Sequence, residues 1–463
     1  MLRAARLTLL ALIALLTVGA VTASAAPRMP IGFFDDPSFR WSADRAQNLQ
    51  RAAATGASII HTTANWAALA PTRPADPSNG DDPAYKLADL DDLVSHAGAN
   101  GMRVMIDISG TPKWANGNTT PNHMPKKLSD LTTFARMLAA RYNGLSGHGY
   151  VGLWSVWNEP NLQQFLTPQY VGKTIVSPAN YAKLYKAAYA GIKGANSGSL
   201  IAAGETSAQG RDKPSSGSSQ TVSPGTFARL LSLQKGLKFD AWAHHPYPTS
   251  PSAKPMEKVR YPNVTLSTLS QFEQDLRKWY HRIVPVWITE YGHETKPGEP
   301  KGVSNSTQPA YAKQALAFAR KDPNVQMFIW FTFRDSSGNP WQSGLLQPSG
   351  AAKPSYSAFG SIARLTDGTT VNVKAAHAPT VPVFFPFLAY YNSAGTTCGM
   401  TYTVYDGTKF IATGQPAVPM RANQSLAVPL SFAPVKGHTY TVNIIANDAS
   451  GHNETQIVSV RAI

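Results

Sequence analysis

Short hydrophobic runs alternate with helical patterns along the chain from Pro30 to about Leu365. Most of these runs are continuously apolar, which is typical of strands buried on both faces. Eight runs can be counted, at residues 31–34, 57–62, 103–108, 151–157, 200–204, 239–244, 284–289 and 326–333. The pattern therefore predicts eight strands, most of them in the interior of a parallel sheet.

Apolar residues at helical spacing fill the segments between these runs. Leu87, Leu90, Val94 and Ala97 form one such stripe, and similar stripes occur near residues 181–192 and 266–280. Eight strand–helix repeats over about 335 residues predict a closed (β/α)8 TIM barrel. The alternative is an open doubly wound sheet. Such a sheet would need a phosphate-binding glycine loop after its first strand, and the segment at residues 32–35 offers none.

The pattern changes after about residue 366. Helical periods disappear, and strict alternation such as that at residues 401–405 replaces them. Asp406-Gly407 predicts a hairpin turn, and residues 447–453 separate another pair of strands. Residues 440–453 resemble the closing strands of immunoglobulin-like or fibronectin-like domains attached to exported enzymes. Such a domain either binds carbohydrate or serves as a packing module, and the packing module is favoured. We therefore expect a barrel domain over residues 27–365 and a β-sandwich over residues 366–463.

The first 26 residues have the features of an export signal. Arg3 and Arg6 precede an apolar run of about fifteen residues, and small residues follow at 23–26. A bilayer span needs about twenty residues, so cleavage is favoured over retention as an anchor. We expect a secreted or cell-wall-associated protein with no membrane span after cleavage.

The sequence offers neither a pair of cysteines for a disulfide nor a Cys/His cluster with metal-ligand spacing. Cys398 is the one cysteine, so no internal bridge can form. His244 and His245 are adjacent, and neighbours on a strand point to opposite faces. We expect no metal and no organic cofactor.

The chain is basic, with 42 Lys+Arg against 27 Asp+Glu and a formal charge of +15. Loss of Arg3 and Arg6 with the signal leaves a charge of +13. This charge either attracts an acidic glycan or an anionic surface, or simply keeps the protein in solution. Because the basic residues are scattered, nucleic acid is not expected as a partner. We expect a monomer.

Chemically useful side chains follow several of the predicted strands. Active sites of (β/α)8 barrels lie at the carboxyl ends of the strands. The fourth strand leads to Asn158 and Glu159, and the seventh ends at Glu290. The sixth and eighth strands add donors and aromatic rings, namely His244, His245, Tyr247 and Trp330. Two carboxyl groups among such residues are the equipment for cleaving a glycosidic bond.

Alternation along the strands predicts that both glutamates point inward. Trp157 and Glu159 would share one face of the fourth strand, and Ile288 and Glu290 one face of the seventh. A lone inward glutamate would more simply serve an ion pair. Two at matched strand ends favour catalysis.

Trp157-Asn158-Glu159-Pro160, together with residues 287–292, resembles the clan of retaining glycoside hydrolases whose catalytic glutamates end strands four and seven. Within that clan the chain resembles family 39-like and family 5 cellulase-like enzymes. The resemblance implies that Glu159 is the acid/base and Glu290 the nucleophile. It also implies sugar-binding roles for Asn158, for Tyr247, for one of His244 and His245, and for Trp330 as the floor of the cleavage subsite.

One feature departs from the clan. Many members carry an arginine near the end of strand two that supports the nucleophile. In the comparable stretch of this chain His61 is a candidate substitute for it. Glu294 is an alternative nucleophile, whereas Glu205 and Asp107 fit either substrate binding or a supporting role. Loop tryptophans suited to stacking on sugars are Trp66, Trp114 and Trp341.

We therefore expect hydrolysis of a poly- or oligosaccharide by double displacement. A retaining enzyme should hold its carboxyl groups about 5–5.5 Å apart, and an inverting one roughly 6.5–9.5 Å apart. A non-catalytic carbohydrate-binding barrel and a transglycosidase are the alternatives. The long loops at residues 207–223 and 246–262 are expected to shape the substrate site.

Overall fold

A computed structural model of the chain describes residues 29–100, 102–215, 217, 219–338, 340–363, 370–383, 399–418, 426–447 and 453–463. The predicted export signal, Cys398 and the predicted domain junction at residue 365 lie outside the described residues. Among the helices of the described part, none is long and apolar enough to cross a bilayer.

Eight parallel strands form a closed barrel, in which each strand pairs with the next along the chain and the eighth closes on the first. The strands are β1 Ile31–Phe34, β2 Ile59–Asn65, β3 Arg103–Ser109, β4 Leu153–Val156, β5 Leu200–Ser207, β6 Ala241–His245, β7 Val286–Tyr291 and β8 Val325–Phe331. This arrangement confirms the predicted (β/α)8 barrel. Each observed strand overlaps one of the eight predicted runs.

One long helix follows each barrel strand. These helices are α1 Arg45–Ala54, α2 Ala88–Ala99, α3 Leu128–Arg141, α4 Ser177–Ala195, α5 Pro224–Ser232, α6 Leu269–Tyr280, α7 Gln308–Lys321 and α8 Pro354–Ala363. Shorter helical turns occupy Pro37–Trp41, Trp66–Leu69, Lys113–Asn116 and Leu266–Thr268. The apolar stripes found in the sequence lie on buried helix faces, as Leu90 and Val94 show on α2. The helices are therefore held by burial of these stripes against the barrel.

Two hydrophobic layers separate the inside of the barrel from its outside. The inner layer consists entirely of strand side chains, including Met105, Leu153, Trp287 and Ile329. The outer layer joins the alternate strand residues to the helices, as with Trp242 on β6 and Phe272 on α6. Membership of one layer or the other shows which way each strand side chain points.

The C-terminal region is built from β-strands, as predicted. Its strands are β9 Thr370–Val373, β10 Thr380–Val383, β11 Gly399–Asp406, β12 Lys409–Gly414, β13 Leu426–Pro429, β14 Thr439–Asn447 and β15 Asn453–Ala462. A five-stranded sheet has the order β9-β15-β14-β11-β12, and β10 pairs with β13. The hairpin predicted at Asp406-Gly407 joins β11 to β12. One hydrophobic cluster contains residues of both sheets.

Candidate active site

Three carboxylates surround His245 at the carboxyl ends of the barrel strands. The Nδ1 atom of His245 lies 3.0 Å from Glu159 Oε1 and 3.7 Å from Glu290 Oε2, and Nε2 lies 2.7 Å from Glu205 Oε2. The oxygens of Glu159 and Glu290 can therefore be no further apart than the sum of the first two distances. The two predicted catalytic glutamates meet at one place.

Glu159 reaches this cluster by a turn of the backbone and not by strand alternation. β4 ends at Val156, and both Trp157 (φ 73°) and Glu159 (φ 37°) have left-handed backbone conformations. Trp157 packs in the outer hydrophobic layer, so the predicted shared face of Trp157 and Glu159 is wrong. The Glu159 N–H donates to the main-chain carbonyl of Glu205 at 2.9 Å, which fixes the turn. Asn158, between Trp157 and Glu159 in the chain, is partly exposed.

Glu290 points inward because β7 contains a bulge. The pairing of β7 with β8 shifts register between Ile288 and Tyr291, which gives β7 an extra residue. Ile288 packs in the outer layer, whereas Thr289 donates a 2.7 Å hydrogen bond to Glu205 in the interior. A bulge allows two consecutive side chains to lie on one face, here those of Thr289 and Glu290. The predicted shared face of Ile288 and Glu290 is therefore wrong, although the inward direction of Glu290 is confirmed.

A second bulge brings Glu205 into the site. Gly204 and Thr206 pair with consecutive residues of β6, so Glu205 is the extra residue of β5. Its φ is 45°, and the residue is 1% exposed. The sequence left Glu205 between substrate binding and a supporting role, and its contacts place it beneath His245. A glycine immediately before an acidic residue at a strand end was the one sequence signal for this bulge.

The adjacent histidines divide as their alternation predicted. His245 faces the carboxylates, and His244 faces the outer layer, where Nε2 lies 2.9 Å from the carbonyl of Val264 and Nδ1 lies 2.9 Å from Thr206 Oγ1. Burial lowers the pKa of His244 to about 3. His244 is thus a neutral packing residue, which differs from its proposed place among the substrate-binding residues.

The surroundings of Glu290 control its charge. Tyr247 donates a hydrogen bond to Glu290 Oε2 at 3.0 Å. Burial, together with the negative charges of Glu159 and Glu205, raises the pKa of Glu290 to about 7, against the opposing effects of His245 and Tyr247. The donors around Glu290 therefore decide how much of it is ionised near neutral pH.

His245 carries a positive charge in this setting. Burial by itself would lower its pKa, but the carboxylates of Glu290, Glu159 and Glu205 raise it well above the usual value. Burial would raise the pKa of Glu205, but the hydrogen bond and the charge of His245 hold it well below its usual range. The core of the site is an imidazolium ion that donates to a carboxylate from each ring nitrogen.

Trp330 lies outside the site, which differs from its predicted place as the floor of the cleavage subsite. It is fully buried in the outer layer, next to Phe359 of α8, and its Nε1 donates to the carbonyl of Ser343 at 2.9 Å. The next residue of β8, Phe331, is half-buried and packs 6.1 Å from Trp341. Because strand neighbours alternate, Phe331 takes the inward direction that was assigned to Trp330.

The loop tryptophans have different surroundings. Trp341 lies 4.9 Å from the Tyr247 ring and therefore borders the site. Trp66 is 1% exposed and stacks on Phe134 of α3. Trp114 makes an edge contact with Trp66, and the guanidinium of Arg73 lies 4.3 Å from its ring centre. Trp66 is therefore core packing and not a sugar platform, whereas Trp114 is half-buried and its stacking on a sugar stays a prediction.

Two other carboxyl groups that the sequence offered for the site, those of Glu294 and Asp107, have different surroundings. Glu294 accepts a 3.2 Å hydrogen bond from the Gln342 N–H in the loop after β8, and it is tied there instead of facing Glu159. Asp107 is buried inside the barrel, where burial and then Glu205 raise its pKa to about 8. Glu294 is therefore a poor nucleophile candidate, and Asp107 is a neutral acid below the site.

His61, the candidate substitute for the strand-two arginine of the clan, is a neutral residue that bonds to the main chain of β7. His61 faces the interior, with Nδ1 3.2 Å from the carbonyl of Thr289, and burial lowers its pKa to about 4. Arg40 reaches the end of β2 at the Thr63 carbonyl, but it is paired with Asp36 and Asp89. Support for Glu290 comes from Tyr247 and His245 instead.

The arrangement suits acid–base chemistry on a bond placed between two carboxyl groups. Glu159 and Glu290 keep 14% and 10% of their side chains exposed, so both can contact a substrate from the open end of the barrel. Within the described part of the chain, no group of three or more His, Cys, Asp or Glu is arranged to hold a metal ion.

Several solved structures of glycoside hydrolases have a similar fold. A family 39 glycoside hydrolase from Bacteroides cellulosilyticus WH2 is 20% identical, with a TM-score of 0.54 over 88% of this chain and 80% of that one. A glucosidase from Croceicoccus marinus is 12% identical, with a TM-score of 0.56 over 94% and 96%. A family 5, subfamily 18 enzyme from Streptomyces cattleya, solved with GlcNAc, is 17% identical, with a TM-score of 0.51 over 76% and 85%. At these identities the likeness establishes the fold.

Comparison with curated proteins by sequence found no match. The family model described as cellulase, glycosyl hydrolase family 5, matches residues 26–334, which span the whole barrel up to the end of β8. The resemblance inferred from the Asn158-Glu159 and Glu290 motifs is thereby confirmed. The chain belongs to glycosyl hydrolase family 5, in the clan of retaining glycoside hydrolases, and is a glycoside hydrolase.

Proposed function

We propose that this protein is an exported enzyme that cleaves O-glycosidic bonds of a poly- or oligosaccharide by double displacement. Glu290 attacks the anomeric carbon while the bond to the leaving oxygen breaks, and Glu159 gives its proton to that oxygen. In the second step Glu159 takes a proton from water, and this water attacks the glycosyl ester of Glu290. Glu159 is thus regenerated as the acid.

The observation that carries this proposal is the meeting of Glu159 and Glu290 at His245. Their oxygens lie 3.0 Å and 3.7 Å from the same ring nitrogen, which supports the short carboxyl separation of a retaining enzyme. Tyr247 and His245 favour the anion of Glu290 that a nucleophile needs. Phe331 and Trp341, beside Tyr247, are proposed as the apolar wall for the sugar ring.

Azide rescue tests the two roles separately. Glu159→Ala should regain activity with added azide and give a glycosyl azide of retained configuration, because azide then attacks the glycosyl-enzyme. Glu290→Ala should give the inverted glycosyl azide, because azide takes the place of the nucleophile. Full activity of either variant without azide would rule out this assignment.

We propose an acidic glycan as the substrate class, because the chain is strongly basic. Chromogenic glycosides and a polysaccharide panel with uronate-containing members would identify the sugar. For an acidic polymer, KM should rise with salt, whereas hydrolysis of a neutral polymer should not depend on salt. Activity confined to neutral polymers would overturn this part of the proposal.

Export is proposed from the pattern of residues 1–26. The protein recovered from the culture medium should begin near Ala26, as measured by intact mass. Recovery of uncleaved chains in the membrane fraction would contradict cleavage.

We propose further that residues 366–463 form an immunoglobulin-like or fibronectin-like sandwich that serves as a packing module. The shared hydrophobic cluster of its two sheets supports this proposal. A crystal structure of the whole chain would test it, and sheets packed on separate cores would refute it.

A further inference from the structure

We propose that Glu205 is a positioning residue for the acid/base catalyst Glu159, which it holds through its side chain and its main chain together. This inference rests on the acid/base role of Glu159 under the proposed function. Glu205 itself contacts no substrate, because it is 1% exposed and lies behind His245.

The side-chain connection runs through His245. Glu205 Oε2 lies 2.7 Å from His245 Nε2, and Nδ1 of the same ring lies 3.0 Å from Glu159 Oε1. A carboxylate on one ring nitrogen holds the ring in a single orientation and favours the imidazolium form. His245 therefore presents a fixed, charged N–H to Glu159.

The main-chain connection is independent of the histidine. The carbonyl oxygen of Glu205 accepts the N–H of Glu159 at 2.9 Å. Both residues have positive φ, 45° for Glu205 and 37° for Glu159, a conformation that costs energy unless surrounding contacts hold it. The bond between them joins the bulge of β5 to the turn after β4, so the backbone under the acid is anchored to β5.

The position of Glu205 is itself tightly defined. Gly204 has a φ of 107°, and a Cβ atom on it would lie 2.6 Å from the Trp242 ring, so glycine is required there. Thr289 on β7 donates to the same oxygen of Glu205 that His245 contacts, at 2.7 Å. Glu205 is thus held by β6 and β7 while it holds a residue of the loop after β4.

This arrangement predicts a selective defect when the charge of Glu205 is removed. Glu205→Gln keeps the shape of the side chain and its main-chain bond but weakens the hold on the His245 imidazolium. Protonation of the leaving group by Glu159 should then suffer. Attack by Glu290 should suffer less, because the negative charge of Glu205 raises the pKa of Glu290, and removal of that charge offsets a weaker contact with His245. General acid catalysis is typically worth about 100- to 10,000-fold, and partial loss through a positioning residue should cost about 10-fold or more.

Leaving-group dependence provides the measurement. The probes are the dinitrophenyl and the phenyl glycosides of whichever sugar the wild-type enzyme hydrolyses. The dinitrophenyl group departs without protonation, and the phenyl group needs it. In Glu205→Gln we expect kcat/KM to fall at least about 10-fold for the phenyl glycoside and less than about 3-fold for the dinitrophenyl glycoside. Equal losses on both substrates would overturn the proposal and make Glu205 a purely structural residue.

Two further variants keep the result interpretable. Glu273→Gln makes the same side-chain substitution at a buried glutamate of α6, which accepts a hydrogen bond from Asn324, and should leave the ratio of the two rates unchanged. His245→Asn keeps a donor near the position of Nδ1 but ends the contact with Glu205. Loss of the His245 charge also lowers the ionised fraction of Glu290, which reduces kcat/KM for both substrates by the same factor. The additional loss for the phenyl glycoside should remain, even if Glu205→Gln does not fold. An unaltered rate ratio in His245→Asn would also overturn the proposal.

Glu159→Ala separates this inference from the proposed function. If Glu159 is the acid, this variant should lose activity on the phenyl glycoside far more than on the dinitrophenyl glycoside. Equal losses there would refute the role of Glu159 itself. A selective loss in Glu159→Ala without one in Glu205→Gln would refute only the positioning role.

Discussion

Removal of the Tyr247 hydroxyl should move the acid limb of the pH–rate profile to higher pH. In Tyr247→Phe the ring that packs on Trp341 remains, but the 3.0 Å hydrogen bond to Glu290 Oε2 is lost. This bond stabilises the ionised form of Glu290. Its loss therefore raises the pKa of Glu290, and a nucleophile must be ionised to attack.

The size of the shift follows from the strength of the bond. A hydrogen bond to a charged group contributes about 1.5–3 kcal/mol, and one pKa unit corresponds to about 1.4 kcal/mol. The pKa of Glu290 is already raised to about 7, with burial as the main cause. The variant should therefore show an acid limb about one to two units higher. Well below that limb its kcat/KM should be about 10-fold or more under the wild-type value, and the gap should close at alkaline pH.

A chromogenic glycoside with a good leaving group is the substrate for this assay, because its hydrolysis reports the attack of Glu290. Tyr291→Phe is the matched control. Tyr291 is buried beside Tyr247 at a ring distance of 6.3 Å, and its hydroxyl makes no hydrogen bond within the described part of the chain. The control should leave the acid limb in place. An unchanged limb in Tyr247→Phe would refute the role given to this bond.

Three further outcomes are expected. Trp330→Ala should lower the free energy of unfolding by about 3–5 kcal/mol, measured with denaturant, while KM stays within about 2-fold, since this ring packs in the outer layer. Phe331→Ala should instead raise KM and leave the free energy of unfolding nearly unchanged. If Trp330→Ala raised KM without lowering the free energy of unfolding, Trp330 would be the floor of the cleavage subsite after all. The pKa of Asp107 is raised to about 8 in the folded protein, with burial as the main cause. Between about pH 4 and pH 8 the folded state therefore binds a proton that the unfolded state has lost, and the wild-type enzyme loses stability as pH rises through this range. Asp107→Asn should therefore increase Tm relative to wild type more at about pH 8.5 than at about pH 5, and a pH-independent difference would contradict the placement of this charge.

The number and order of the barrel strands could be read from the sequence, because strands buried on both faces leave continuous apolar runs. The same count gave the location of the catalytic glutamates. Once Glu159 follows the fourth strand and Glu290 ends the seventh, the closed barrel puts both at its carboxyl end. A buried strand leaves its apolar run within a few consecutive residues, so the order of the strands is visible along the chain.

The direction of individual side chains could not be read in the same way. Alternation correctly divided His244 from His245 but did not say which of them faces the interior. It also assigned the inward direction on β8 to Trp330, where Phe331 has it. A shift of one residue reverses every side chain of a strand, and the shift is set by the neighbouring strand.

Two β-bulges and a turn with positive φ values set the inward directions of Glu205, Glu290 and Glu159. The extra residues in β5 and β7 exist only relative to the strands they pair with, which come from distant parts of the chain. They turn Glu205 and Glu290 inward against simple alternation, and the loop after β4 does the same for Glu159. The barrel and the two glutamates follow from local patterns along the chain. The support of these glutamates by His245 and Glu205 arises from strand pairing, because inter-strand register has no local signature in the sequence.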